Sequence, residues 1–277
     1  MPLILLNLLG VFAFIAPFFL ALPTSASTTA ARASDAPWLL ALIAPLLVGA
    51  VLAEMMRGGL DSKSVALLGV LAACSALLRL PFSFAGANLF FFLPICAGFV
   101  FGSTFGFLLG SLGIAASALI SGGVGPWLPF QMFAAGWIGA GSGALRGVLE
   151  RISHLPRLET TVMCAYGALA AFIYGGLLNL YFWPVMATGN ASIGWQPGLG
   201  LADTLHHYRI FYLLTSAGWD SMGALANALL LAVLGPSVLF ILRRHRQRFS
   251  FTLIQPPITE PEVGLPTKRS STRSYLP

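Results

Sequence analysis

Between Phe211 and Leu242 the chain runs 32 residues with Asp220 as its only charged side chain. At the helical rise per residue that run is about 48 Å long, well over the ~30 Å hydrocarbon core of a bilayer. A surface helix of a water-soluble domain needs a polar face, and this run has none. It is therefore expected to cross a membrane, and either to project beyond it or to break. The rest of the chain repeats the pattern, with 57% hydrophobic and 9% charged residues, against about a quarter charged in soluble domains. Because the apolar runs are continuous and not alternating, a β-barrel is disfavoured. The expected class is an all-α integral membrane protein.

Eight spans fit the runs. Two come first, Leu3–Leu22 and Pro37–Met56. Six follow as a core: Val65–Leu80, Asn88–Phe101, Thr104–Ile120, Phe130–Leu145, Thr161–Pro184 and Phe211–Leu242. Only Gly102-Ser103 separates the second and third core spans, which predicts a tight re-entering hairpin. The domains then read as a two-helix extension (1–60), a six-helix core (61–249) and a disordered tail (250–277) rich in Pro, Ser and Thr. A cleaved signal peptide is the rival for the first span. No Lys or Arg precedes its apolar run, so a retained helix is the expectation.

A net charge of +6 raises the possibility of nucleic acid. The cations instead flank apolar runs, as Arg57/Lys63, Arg146/Arg151/Arg157 and Arg243/Arg244/Arg246/Arg248. Placing these three groups in the cytoplasm leaves only Arg32 and Arg209 in loops 23–36, 81–87, 121–130 and 185–210. That is the positive-inside pattern, with both termini cytoplasmic and no call for nucleic acid; contact with anionic lipid is its natural companion. Cys74, Cys96 and Cys164 lie far apart in apolar runs and read as small packing residues.

Small residues recur every four positions. Gly98, Gly102, Gly106 and Gly110 form one row, and Gly139, Gly143 and Gly147 another. Each row lines one helix face and lets a neighbouring backbone approach closely, so both rows are assigned to internal packing. Ala72 and Ala76 have the same spacing, and for them docking of another membrane subunit competes with internal packing.

No nucleophile-elbow, zinc-protease or Walker pattern occurs, so no enzyme, metal site or cofactor is expected. His206 and His207 are adjacent, point about 100° apart on a helix, and read as a solvated loop pair. The distinctive segment is Ser121-Gly-Gly-Val-Gly-Pro-Trp-Leu-Pro-Phe-Gln131, a Gly/Pro-punctuated loop between two apolar runs that carries Trp127 and Gln131. Polar and aromatic groups gather at the same outer end, Asn88, Trp183, Trp195, Tyr212 and Trp219, with Asn179 lying deeper. Interfacial belts account for many of the aromatics. They do not account for amides from three separate segments, and apolar walls with a few convergent polar groups suit a small-molecule site. Arg79 and Asp220 fall at matching depth and are expected to pair, with Asp220 also a candidate solute contact.

Residues from about Ser64 to Arg248 resemble the substrate-binding S component of energy-coupling factor (ECF) vitamin transporters. The resemblance lies in the six-span layout, in Ala72-Ala-Cys-Ser-Ala76 on the first core helix, and in two stretches similar to actinobacterial-type members. These are the Gly-Gly-Val-Gly-Pro-Trp-Leu-Pro-Phe-Gln-Met loop and Tyr212-Leu-Leu-Thr-Ser-Ala-Gly-Trp-Asp220. The two N-terminal spans lie outside that unit. The resemblance implies that Ala72 and Ala76 face a membrane coupling subunit joined to two ATPase subunits. It implies that loops 81–92 and 121–131 close over a vitamin, cobalamin first, and that ATP-driven toppling delivers it inward. The rivals are a membrane scaffold that binds no solute, and a lipid-acting enzyme using Asp220 or His206/His207.

Overall fold

The structure, a computed structural model, describes residues 2–19, 27–57, 60–79, 89–187, 190, 192–196 and 198–249. The helices among them are α1 (Pro2–Phe19), α2 (Ser27–Met56), α3 (Ser62–Arg79), α4 (Phe92–Phe101), α5 (Ser103–Ser121), α6 (Leu128–Ala144), α7 (Arg146–Ile152), α8 (Pro156–Met186), α9 (Leu201–Thr215) and α10 (Ala217–Phe249). A 3-10 turn, Leu89–Phe91, leads into α4. Among the described residues there is no strand. Four stretches are long and apolar enough to cross a bilayer: Ser62–Arg79, Ser103–Ser121, Pro156–Pro184 and Ala217–Gln247. The chain has the character of a membrane protein. Residues 250–277 and Asn88 lie outside the described residues.

Glycine decides how the centre is built. The helix α4 is buried on every side from Phe92 to Val100, the condition in which a helix can be apolar all round. It turns directly into α5 through Gly102, whose φ of 98° is open to glycine and strained for other residues. The expected hairpin is thus present, with Gly102 N–H donating to Gly98 O at 2.8 Å. The crossing of α5 and α6 is backbone against backbone. A Cβ added at Gly106 would lie 2.5 Å from the carbonyl carbon of Gly139, and one at Gly139 would lie 2.5 Å from that of Gly106. Gly110 meets Ala135 and Gly136 in the same way, and Gly143 meets the Gly102–Ser103 peptide. Both glycine rows therefore serve internal packing, except at Gly147, which faces open space.

Around this centre α3 packs on α5, and α8 pairs with α10 and touches α6, while α10 also covers α4. Ala72 and Ala76 are 6% and 0% exposed, on the face of α3 that meets α5. This corrects their assignment as a docking face: the small side chains let α3 approach α5, and nothing of them is left for a partner. The exposed side of α3 carries Gly69, Val70, Cys74 and Leu77 instead.

The N-terminal pair is not an appendage. Helix α1 packs on α2, α6 and α8, and Trp137 Nε1 donates to Asn7 Oδ1 at 2.6 Å. Phe14 stands edge-on to Phe130 at 5.0 Å, while Gly10 leaves room for the ring of Phe133.

Boundaries differ from expectation in four places. Helix α2 starts at Ser27, inside what read as a turn-prone stretch. The segment after Leu145 forms the short α7, where a loop was expected. Helix α8 continues through Pro184 to Met186. The long last run does break, at Ser216, so that Leu201–Thr215 forms a separate helix joined to α10 by an elbow. His206 and His207 therefore sit on α9, not in a loop, and His207 Nδ1 lies 3.0 Å from Gly194 O.

The basic clusters also hold helices together. At the end of the bundle away from Arg79, Arg243 on α10 holds the buried Glu159 of α8 with both guanidinium nitrogens. Arg246 donates to Val100 O at 2.8 Å and to Glu150 Oε1 at 3.0 Å, and Glu150 also accepts from Arg146 at 2.9 Å. These bonds tie α7, α8 and α10 together and satisfy an otherwise orphaned carbonyl at the end of α4.

Candidate functional site

At the opposite end, five elements bring polar groups together. The loop after α5 is rigid for local reasons. Gly122 caps the helix at φ 67°, Gly123 N–H donates back to Ala118 O at 2.9 Å, and Pro129 occupies the first turn of α6. The half-exposed indole of Trp127 lies over Gly125, where a Cβ would sit 2.5 Å from Cζ2. One turn into α6, Gln131 Oε1 accepts from Arg79 Nη2, the last residue of α3, at 3.3 Å.

The opposite flank comes from the elbow. Tyr212 on α9 donates to Asp220 Oδ2 on α10 at 2.8 Å. The Asp220 carboxylate rests against Gly175 of α8, where any side chain would collide with it, and Tyr208 donates to Gly176 O. The consecutive glycines thus open a slot in α8 into which the elbow is clamped. Between the flanks stands Tyr174. Its ring meets Phe91 at 4.7 Å, and among the described residues its buried hydroxyl has no hydrogen-bond partner. The charges of both Arg79 and Asp220 act on it. A turn further along α8, the amide nitrogen of the buried Asn179 is also unpartnered.

The structure therefore brings together Arg79, Gln131, Tyr212 and Asp220 around Tyr174, with Trp127 on the loop above Gln131. Arg79 donates to Gln131, and Asp220 accepts from Tyr212. Two aromatics leave the candidate set. Trp183 is 1% exposed, packs tilted against Phe18 and edge-on to Tyr208, and spends its Nε1–H on Ile193 O at 2.7 Å. It anchors residues 193–195 to α8 and is not a wall open to solute. Trp219 is 60% exposed on the outside of α10, because the break at Ser216 rotates it away from the cluster. Asn88 lies outside the described residues.

Sequence reading passed over Tyr174, Tyr208 and the Gly175-Gly176 pair. A signal was present: two glycines in mid-helix directly after a tyrosine, and two tyrosines four residues apart on α9. Comparison with protein-family models, with characterised proteins and with solved structures finds no match.

Proposed function

We propose that the chain is the solute-capturing subunit of an importer in the bacterial plasma membrane, of the S-component kind found in ECF-type ABC transporters. In this reading α1–α6, α8 and α10 cross the bilayer, both termini are cytoplasmic, and the Arg79–Tyr174–Asp220 end faces outward. The cargo is a vitamin or related micronutrient, with cobalamin the first to test. Energy comes from a membrane coupling subunit and two ATPase subunits, docked on a surface other than Ala72 and Ala76. Arg79 and Asp220 frame the site, and the Trp127 loop covers it.

One observation carries this reading: the buried hydroxyl of Tyr174 and the buried amide nitrogen of Asn179, neither with a hydrogen-bond partner among the described residues. Each unsatisfied buried group costs roughly 1–3 kcal/mol, which a bound solute with matching donors and acceptors would return. The test is mass spectrometry of small molecules retained by the purified chain, followed by calorimetry with cobalamin and other vitamins. Trp127→Ala, Gln131→Ala and Tyr174→Phe should each weaken binding about 5- to 10-fold, the worth of one hydrogen bond or stacking contact, with little change in melting temperature. Equal affinity in all three would remove this end of the bundle from consideration.

A further inference from the structure

The inner end of α10 carries a second feature, on the face turned away from the bundle. At about 100° per residue, Arg243 and Arg246 fall on the same side as the buried Leu239 and Leu242. That side faces α8 and α4, and both guanidiniums are consumed there by Glu159, Glu150 and Val100 O. Arg244 is rotated out of this row. With Phe240, Ile241 and His245 it lines an open groove of about 350 Å³. Among the described residues Arg244 has no hydrogen bond and no ion pair. Phe240 and Ile241, one turn deeper, are 66% and 53% exposed.

We propose that this groove binds an anionic phospholipid of the cytoplasmic leaflet, with Arg244 on the headgroup phosphate and the acyl chains along Phe240 and Ile241. The inference rests on the membrane orientation proposed above. The chemistry is complementary at both levels: an unspent cation where headgroups lie, and exposed apolar side chains directly below it. The chain's own C-terminal segment is a poor occupant, since residues 250–277 carry Lys268, Arg269 and Arg273 against only Glu260 and Glu262. A zwitterionic lipid also carries a phosphate, but its own ammonium offsets that charge and weakens the attraction to Arg244.

The test uses the full-length chain purified in a mild non-ionic detergent and native mass spectrometry with phosphatidylglycerol or phosphatidylcholine added. The wild type should retain phosphatidylglycerol preferentially. Arg244→Gln should lower that retention about five-fold, the contribution of one arginine near an anionic surface. Arg151→Gln, which removes another cation of the same end, should leave it unchanged. Millimolar inorganic phosphate should not displace the lipid; displacement would make the groove a free-phosphate site and overturn the assignment. Equal retention of the two lipids, or equal loss from Arg244→Gln and Arg151→Gln, would also overturn it. Solute binding measured on Arg244→Gln should match the wild type, so failure here is distinguishable from failure of the capture reading.

Discussion

Replacing Gly139 by alanine probes the backbone contact at the centre of the bundle. The new methyl would lie 2.5 Å from the carbonyl carbon of Gly106 and 3.1 Å from its Cα, where carbon pairs normally stand about 3.5–4.0 Å apart. Helices α5 and α6 must therefore part by about 1 Å. A gap of that size forfeits up to half of each dispersion well, so roughly 30 facing atom pairs at ~0.15 kcal/mol lose about 2 kcal/mol. This falls within the range of about 1–3 kcal/mol measured for overpacked cores. Alanine also gains helix propensity over glycine, up to about 1 kcal/mol, which would mask part of the loss. Gly69→Ala on α3 supplies the correction, because it shares the propensity gain while its Cβ meets nothing within 4 Å. Followed by circular dichroism at 222 nm during heating in detergent, the two variants should differ by about 2 kcal/mol, or roughly 4–8 °C. Gly106→Ala enters the same cleft from the other side and should match Gly139→Ala, with the double variant losing less than the sum. Equal melting of Gly139→Ala and Gly69→Ala would refute the idea that this crossing is closed by backbone contact.

Other consequences are open to measurement. Trp137→Phe or Asn7→Leu should break the tie between α1 and α6, and a double-mutant cycle should return a coupling of about 0.6 kcal/mol, not above ~1.7. Arg243→Gln strands the buried Glu159 and should cost about 2–3 kcal/mol, below the 3–5 of an enclosed pair because Arg243 is 32% exposed; adding Glu159→Gln should restore most of the melting temperature. Hydrogen bonds from Arg146 and then Arg246 hold the Glu150 carboxyl below its ordinary value of 4.5. Its folded state thus binds fewer protons than the unfolded chain, so this contribution is full above pH 4.5 and is lost as pH falls through the lower folded value. Glu150→Gln should flatten the acid limb of a melting-temperature profile below pH 5, and an unchanged limb would contradict the ion-pair assignment.

Apolar run length carried most of the architecture. Helices α1 to α6, α8 and α10 occupy the runs assigned to spans, because a sequence with so few charges leaves few places to turn. Glycine spacing also carried through: the rows at Gly98–Gly110 and Gly139–Gly143 pack where a four-residue repeat puts them. What spacing cannot tell is which neighbour a row meets. Ala72 and Ala76 have the geometry of a docking stripe, and α5 fills it. Composition likewise hid α7 and α9. Both mix charged and apolar residues evenly enough to read as loops, and they hold helical form through contacts with α8 and α10. The candidate site was half legible. Arg79, Gln131, Tyr212 and Asp220 stood out as polar groups in apolar surroundings, whereas Tyr174 was hidden because a tyrosine in a membrane helix is ordinary. Only the elbow at Ser216, which sends Asp220 into the slot at Gly175, reveals what that tyrosine stands between. Trp183 misled for the converse reason: its position in the sequence matched a rim, but its indole N–H was already committed to Ile193.

Helix α1 has a bearing on how the protein can keep company within a bilayer. By lying along α6 and α8, with Phe14 and Phe18 set against Phe130, Trp137 and Trp183, it occupies one flank of the bundle permanently. Neighbours travelling in the same leaflet can meet the remaining flanks, along the outward sides of α3 and α10.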